Sequence, residues 1–190
     1  MTKKKNFNLA IVGLGNIGLN LYRHLIKNKK SIVEKNNVNF NIKYVSAKNK
    51  KKNRGISIPR KKWLQSYLDV PKLNDVDIVI ELIGGAEGPA KKLVFESIRK
   101  KKHVVTANKS LISKYGDQLA LLAEKNKVNI EFEAAVAGGI PIIRTLKEGL
   151  VANKTKKIYG ILNGTSNFIL TNMDKMNVSF NKVLNKAKKL

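Results

Sequence analysis

Apolar residues along this chain form short continuous runs, separated by stretches in which they recur every three or four positions. The run at 7–12 is almost wholly apolar, which predicts a buried strand, and Ile17, Leu21 and Leu25 then keep the spacing of one helix face. The same reasoning predicts further strands at 40–47, 77–83, 103–106, 128–134 and 157–162. It predicts further helices at 60–68, 89–101, 117–126, 141–146, 168–176 and 180–190.

Proline and serine support two of these helix starts. Pro141 suits a first helical turn because its missing N–H would have no partner there, and Ser179 is expected to cap the last helix. Trp63 and Tyr67 would lie on the apolar face of the helix at 60–68, as core residues rather than a ligand platform. Strands and helices therefore alternate from residue 7 to residue 146, which is typical of a parallel sheet with right-handed crossovers.

A glycine pattern stands between the first strand and the first helix. It has the form G-x-G-x-x-G, a fingerprint of dinucleotide binding when it occupies this position. The first glycine permits the tight turn, the second lets the backbone approach a pyrophosphate, and the third lets the helix pack closely on the strand. The alternative is a glycine turn in an α/β domain that binds no nucleotide. The candidate cofactor-binding residues here are Gly13, Leu14, Gly15, Asn16, Ile17 and Gly18.

The glycine pattern defines the fold class more closely as a Rossmann-like, doubly wound, mostly parallel sheet. We expect this α/β domain to span residues 1–145. The elements predicted beyond it would begin a second, α+β domain over residues 146–190.

The end of the second predicted strand bears on the choice of cofactor. NAD-binding domains usually carry an acid there that binds the ribose 2′-hydroxyl, but residues 46–54 contain none. Lys48 and the basic residues after it would instead accommodate the 2′-phosphate of NADP. NAD stays possible, because the general excess of lysine explains the cluster equally well.

Three later strand ends carry further candidate residues. In an open α/β sheet, the carboxyl ends of the strands form the ligand crevice. Gly84 and Gly85 follow the strand at 77–83, and Lys109 follows the strand at 103–106. Glu133 is placed at the end of its strand, before a turn rich in small residues. For that last stretch, the alternative is a tight packing turn without a ligand.

The chain has 38 basic and 13 acidic residues, giving a net charge of +25, and it has no cysteine. The absence of cysteine excludes a disulfide framework and a thiolate metal site. The lysines are dispersed without a zinc-finger or RNP motif, so nucleic acid is not the expected partner. No apolar stretch approaches the roughly 18 residues that a membrane helix needs, so we expect a cytoplasmic protein. His24 and His103 belong to no motif and should be structural or on the surface.

Five motifs resemble, in their order, those of the homoserine dehydrogenase family: residues 13–18, 81–85, 106–109, 133–141 and 160–167. The resemblance covers nearly the whole chain. It implies an NAD(P)-dependent enzyme that interconverts L-aspartate 4-semialdehyde and L-homoserine on the route to threonine and methionine. It also implies a homo-oligomer for the full-length protein.

The resemblance assigns roles to particular residues. Lys109 would be the catalytic lysine of the active site, next to both cofactor and substrate. Gly84, Gly85, Thr106 and Asn108 would join Lys109 in binding the cofactor. A monovalent cation such as sodium would be bound by Glu133, Val136, Gly138 and Ile140. Residues at the substrate and the hinge would be Asn163, Gly164, Thr165 and Ser166.

Family members continue beyond the last predicted helix into a segment that binds homoserine. We therefore expect an N-terminal fragment whose substrate and dimerisation domain is only begun, and which is inactive alone. One alternative is another dehydrogenase on the same cofactor domain, such as an aspartate dehydrogenase, although the turn at 163–167 argues against it. Another is a basic module that binds nucleotides or nucleic acid.

Overall fold

The computed structural model describes residues 4–161 and 163–188. The described residues include a five-stranded parallel sheet with the strand order β2-β1-β3-β4-β5. This arrangement confirms the predicted α/β class and the Rossmann-like parallel sheet. The strands are β1 (Lys5–Val12), β2 (Val38–Ser46), β3 (Ile78–Glu81), β4 (His103–Thr106) and β5 (Ile130–Glu131).

Helices connect the strands and continue after the sheet. Four helices lie between strands: α1 (Asn16–Lys27), α2 (Lys29–Asn36), α3 (Pro89–Arg99) and α4 (Lys109–Asn126). Two short helices follow β5, namely α5 (Glu133–Val136) and α6 (Ile142–Arg144). A π-helical turn (Thr145–Gly149), α7 (Gly164–Met176) and α8 (Phe180–Ala187) complete the described elements.

Strand β1 is apolar throughout because both of its faces are covered. Leu9 and Ile11 belong to a buried cluster with Tyr22 of α1. Ala10 and Val12 belong to a different cluster. Successive side chains of a strand point to opposite faces, so the two clusters lie on the two sides of the sheet. A third cluster packs α3 and α4 against β4 and β5.

The prediction of a single helix at 60–68 is wrong. The structure has a 3₁₀ helix at Arg60–Lys62 and another at Tyr67–Lys72, with extended backbone at Trp63 between them. Trp63 forms a bridge with Val45, so this segment runs beside β2 instead of continuing a helix. Ser66 is the N-cap of the second 3₁₀ helix and forms a reciprocal capping box with Asp69.

Helix α4 begins eight residues before the predicted start at 117, because the glycine at 116 lies inside the helix. Asn108 caps it by accepting a hydrogen bond from the Leu111 N–H at 3.1 Å. The strand predicted at 128–134 shortens to β5. Glu133 therefore opens α5 and does not end a strand.

The chain divides into two compact units, residues 1–144 and 145–190. In the second unit α7 packs on α8. The prediction of a strand at 157–162 is wrong for residues 157–161, which form no strand. Residue 162 lies outside the described residues. Tyr159 and Ile161 are 85% and 75% exposed, so these apolar side chains have little packing to hold an extended strand.

Ser179 occupies the N-cap position of α8, but among the described residues its side chain makes no capping hydrogen bond. Within residues 4–161 and 163–188, none of the helices combines the length and the apolar character needed to cross a membrane.

Candidate functional site

The glycine turn joins β1 to α1, and two of its glycines are required by packing. Gly13 has a φ of +101°, and a Cβ there would lie 2.3 Å from the Leu82 carbonyl oxygen. A Cβ on Gly18 would lie 1.9 Å from the Gly13 carbonyl oxygen. Neither position tolerates a side chain, which accounts for the turn and for the close approach of α1.

Gly15 differs, because a Cβ there would meet no protein atom within 4 Å. The space above Gly15 is open, and the residue is exposed, as are Asn16 and Ile17. Gly15 is also the N-cap of α1, where no side chain in the described structure caps the helix. The N–H groups of a helix's first turn lack partners within the helix, so this turn offers donors to an anion.

A cavity of about 760 Å³ opens beside the glycine turn. Most of its wall comes from three strand ends, namely the turn after β1, the basic loop after β2 and the segment after β3, and residues 65–67 complete it. The candidate residues Gly13, Leu14, Gly15 and Lys48 line it, together with Lys50 and Lys52. This volume and this mixture of glycine backbone and lysine fit part of a dinucleotide. In the part of the chain described, Asn16, Ile17 and Gly18 do not line it.

A buried carboxylate, Glu81, connects the ends of β3 and β4. It is 0% exposed. Its Oε1 accepts hydrogen bonds from the N–H groups of Ile83 at 2.7 Å and Gly84 at 3.1 Å. Its Oε2 accepts a bond of 2.5 Å from the hydroxyl of Thr106, its cross-strand neighbour. Glu81 thereby fixes the start of the glycine segment after β3.

The network continues from Thr106 to Asn108. The Asn108 N–H donates to Thr106 Oγ1 at 3.0 Å, and Asn108 Nδ2 donates to the Gly85 carbonyl at 2.7 Å. The structure thus brings together Gly84, Gly85, Thr106 and Asn108, four of the residues assigned to the cofactor. Sequence reasoning missed Glu81, which organises them. The signal was present, since a lone acid inside an apolar strand must find buried partners.

A second acid holds the far end of the glycine segment. Glu87 accepts hydrogen bonds from Lys114 at 2.6 Å, from Lys91 at 3.4 Å and from the Tyr115 hydroxyl. These bonds, that from Lys114 above all, lower the pKa of Glu87 to about 2. The segment 83–88 contains three glycines at positive φ. The Glu81 carboxylate fixes its start, and the Glu87 carboxylate fixes its end.

Lys109 is the first residue of α4. Its ammonium donates to the carbonyl oxygens of Ala135 at 3.3 Å and Val136 at 3.2 Å, in α5. A lysine ammonium has three N–H donors, so one remains for a further acceptor. Among the described residues that line the 760 Å³ cavity, Lys109 does not occur. Lys109 instead adjoins the cofactor candidates through its neighbour Asn108.

Two of the four residues assigned to a monovalent cation, Glu133 and Val136, accept hydrogen bonds from the chain's own donors. The two carboxylate oxygens of Glu133 accept the N–H groups of Ile143 and Arg144, each at 2.9 Å. The Val136 carbonyl accepts the Lys109 ammonium at 3.2 Å. These three oxygens make internal hydrogen bonds in the described structure, and the cation stays a prediction. Among the described residues there is also no group of three His, Asp or Glu that could hold a metal ion.

The candidate hinge residues lie in the second unit. Asn163 is the N-cap of α7, and its Oδ1 accepts the Ser166 N–H at 2.8 Å. Gly164, Thr165 and Ser166 form the exposed first turn of that helix. Their role at the substrate or the hinge stays a prediction.

Comparison with known proteins bears on these features. The family model "Homoserine dehydrogenase, NAD binding domain" matches residues 13–133, and the model "Homoserine dehydrogenase" matches residues 141–190. The chain belongs to the homoserine dehydrogenase family. Its residues 13–133 form the NAD-binding domain of that family, and the glycine turn and the cavity beside it lie largely within this segment.

Individual homoserine dehydrogenases are similar along almost the whole chain. The Bacillus subtilis enzyme is 40% identical over 186 residues, which are 98% of this chain and 43% of that protein. The Neisseria gonorrhoeae enzyme is 42% identical, over 98% of this chain and 42% of that protein. The crystal structure of a homoserine dehydrogenase from Thiobacillus denitrificans superposes with a TM-score of 0.82 at 39% identity, over 100% of this chain and 43% of that one. The chain thus spans less than half the length of these relatives.

Proposed function

We propose that this chain is the cofactor-binding part of a homoserine dehydrogenase, which interconverts L-aspartate 4-semialdehyde and L-homoserine with NADP(H) in preference to NAD(H). Membership of the family supports this reaction. The observation that carries the cofactor site is the open space above Gly15, at an uncapped helix N-terminus and beside a cavity lined by lysines. Residues 1–145 would bind the cofactor, and residues 146–190 would begin the substrate domain.

The dinucleotide would lie across the ends of β1, β2 and β3. The backbone around Gly15 would bind the pyrophosphate, since an anion at this point meets the first N–H groups of α1. Lys48, Lys50 and Lys52 line the same cavity and would receive the 2′-phosphate of NADP. The loop after β2 contains no acid that would bind a free ribose 2′-hydroxyl or repel that phosphate.

The nicotinamide, when bound, supplies or accepts the hydride. The chain's own contribution would be the glycine segment 83–88, which Glu81 and Glu87 hold in place before any ligand binds. Such preorganisation limits the entropy lost when cofactor and substrate are brought together. Gly84 and Gly85 would lie beneath the cofactor, supported by Thr106 at the end of β4 and by Asn108 at the N-cap of α4.

Lys109 would act at the oxygen atom of the aldehyde or alcohol group whose carbon exchanges the hydride. Two of its N–H groups are directed to the carbonyls of Ala135 and Val136, and the remaining one can donate to a substrate oxygen. An ammonium fixed in this way stabilises negative charge on the aldehyde oxygen during reduction and can transfer a proton to it. The cation at Glu133, the hinge role of residues 163–166 and a homo-oligomer for the full-length protein belong to the proposal because the chain belongs to the homoserine dehydrogenase family.

Fluorescence titration with NADPH tests the cofactor site. Gly15→Val places a branched side chain in the space left for the pyrophosphate. A Cβ at this position meets no protein atom within 4 Å, so the fold should be retained, whereas NADPH binding should be lost. Gly149→Val is the matched control, because Gly149 is also exposed, has ordinary backbone geometry and belongs to none of the proposed sites. NADPH affinity that is the same in the Gly15 variant and the wild type would overturn the assignment.

A further inference from the structure

The loop that follows β2 is built around one side chain, Arg54. Its guanidinium donates hydrogen bonds to four backbone carbonyls, which belong to Leu14 at 3.2 Å, Asn49 at 2.6 Å, Lys50 at 3.5 Å and Lys52 at 2.9 Å. Three of these carbonyls lie in the loop, and the fourth lies in the glycine turn. One residue therefore ties the basic loop to the turn that would bind the pyrophosphate.

Arg54 is itself fixed from two sides. Arg23 of α1 donates a hydrogen bond of 2.8 Å to the Arg54 carbonyl. The guanidinium lies over the Trp63 ring, 5.4 Å from its centroid. Trp63 is anchored in turn, because its indole N–H donates to the Ile58 carbonyl at 3.3 Å. Before any ligand is present, Arg54 is thus held at its backbone carbonyl by a side chain of α1 and at its guanidinium by an aromatic ring.

The hydrogen bonds of Arg54 also change what the loop offers to an anion. Carbonyl oxygens carry partial negative charge and would repel a phosphate. The guanidinium engages three carbonyls of the loop, those of Asn49, Lys50 and Lys52. Lys50 and Lys52, two of the lysines of the cavity wall, therefore extend from a backbone whose carbonyls are already engaged.

We propose that Arg54 is a positioning residue for cofactor choice: it fixes the loop that carries Lys48, Lys50 and Lys52, without itself binding the 2′-phosphate of the cofactor. This inference rests on the proposed preference for NADP. Lysine cannot replace Arg54 in this role. Its ammonium is a point charge, whereas the guanidinium is a planar fork of five donors that reaches several carbonyls at once.

Calorimetric titration with 2′,5′-ADP and 5′-AMP tests the proposal, since the two probes differ only in the 2′-phosphate. Arg54→Lys and Arg54→Met should both reduce the affinity ratio of 2′,5′-ADP to 5′-AMP by about tenfold or more, within the range that a 1 Å misplacement costs at a site. Lys51 is an exposed residue of the same loop that is not among the described residues lining the cavity, so Lys51→Met removes one positive charge there and should change the ratio by less than about threefold. Amide hydrogen exchange at residues 49–53 should be faster in both Arg54 variants.

The outcomes separate this inference from the proposed cofactor choice. A wild-type chain that binds both probes equally overturns the NADP preference, and this inference with it. If the wild type prefers 2′,5′-ADP and Arg54→Lys retains that preference, Arg54 acts through its charge and the positioning role is wrong. A ratio unchanged in Arg54→Met overturns the inference alone. Retained 5′-AMP binding shows that each variant is folded, because that probe uses the glycine turn and not the lysines.

Discussion

Glu81 is the residue whose replacement tests the organisation of the site most sharply. Its carboxylate is fully buried and accepts three hydrogen bonds, from the N–H groups of Ile83 and Gly84 and from the hydroxyl of Thr106. In Glu81→Gln the shape is kept. The amide oxygen can still accept both N–H groups, but the amide nitrogen now faces a hydroxyl that had been donating.

The expected cost follows from these contacts. Thr106 Oγ1 already accepts the Asn108 N–H and has a second lone pair, so it can accept from the new amide while its own proton loses a partner. Losing one charge-assisted bond costs about 1.5–3 kcal/mol, and the lower desolvation of a neutral group offsets part of that. We expect a net loss of about 1–2 kcal/mol, which lowers Tm by roughly 3–6 °C for a unit of this size.

Thermal unfolding and NADPH titration should be measured on the same samples. Glu81→Gln should weaken NADPH binding as well as lower Tm, because the glycine segment after β3 loses its anchor. Glu124→Gln, which makes the same chemical change at an exposed position on α4, is the control and should change neither. A Glu81 variant with wild-type Tm and wild-type affinity would refute the argument that this carboxylate holds the segment.

Two further predictions concern charged groups. Reversing Lys48 and Lys50 to Glu should weaken NADPH binding and spare NADH binding, whereas tighter binding of NADH by the wild type would contradict our interpretation of the loop. The Glu87 carboxylate should titrate in an NMR experiment at a pKa of about 2 instead of 4.5. Because its pKa is lowered in the folded state, its stabilising contribution is present above about pH 4.5 and is lost as the pH falls toward 2. In Lys114→Met that pKa should move back toward 4.5, and no movement would show that Lys114 is not its main cause.

The sheet and the glycine turn were predictable because their signals are local. A continuous apolar run indicates a strand covered on both faces, and β1 is such a strand. The glycine pattern at 13–18 predicted the turn between β1 and α1. The Cβ distances at Gly13 and Gly18 show why glycine is required at these two positions. The strand at His103–Thr106 was predicted with the bounds that the structure shows, because its signal is also local.

Elements that depend on distant partners were not predictable in the same way. The segment at 60–68 has helical spacing, but the bridge from Trp63 to Val45 draws it alongside the sheet. Residues 157–161 alternate like a strand, yet the described residues of their unit offer no strand to pair with. Local propensity is a weak prior, and tertiary contacts decide such cases.

The candidate site shows the same division. Sequence motifs selected Thr106, Asn108 and Lys109, because residues at strand ends stand out in a parallel sheet. The sequence did not indicate that Lys109 would be directed to α5 carbonyls, nor that Glu133 would cap α6, since both depend on the path of the chain between residues 133 and 144. Arg54 was counted only as one more cation, and its four carbonyl partners are visible only in three dimensions.

The most direct test of the account is homoserine-dependent reduction of NADP, followed at 340 nm. The protein to assay is this chain joined to the part of the Bacillus subtilis homoserine dehydrogenase that lies beyond the matched region. We expect turnover with NADP, a loss of about 10²–10⁴-fold in Lys109→Ala, and little change in Lys125→Ala, an exposed lysine at the other end of α4. A folded chimera that binds NADPH but never reduces NADP in the presence of homoserine would contradict the proposed reaction, and full turnover in the Lys109 variant would remove that lysine from it.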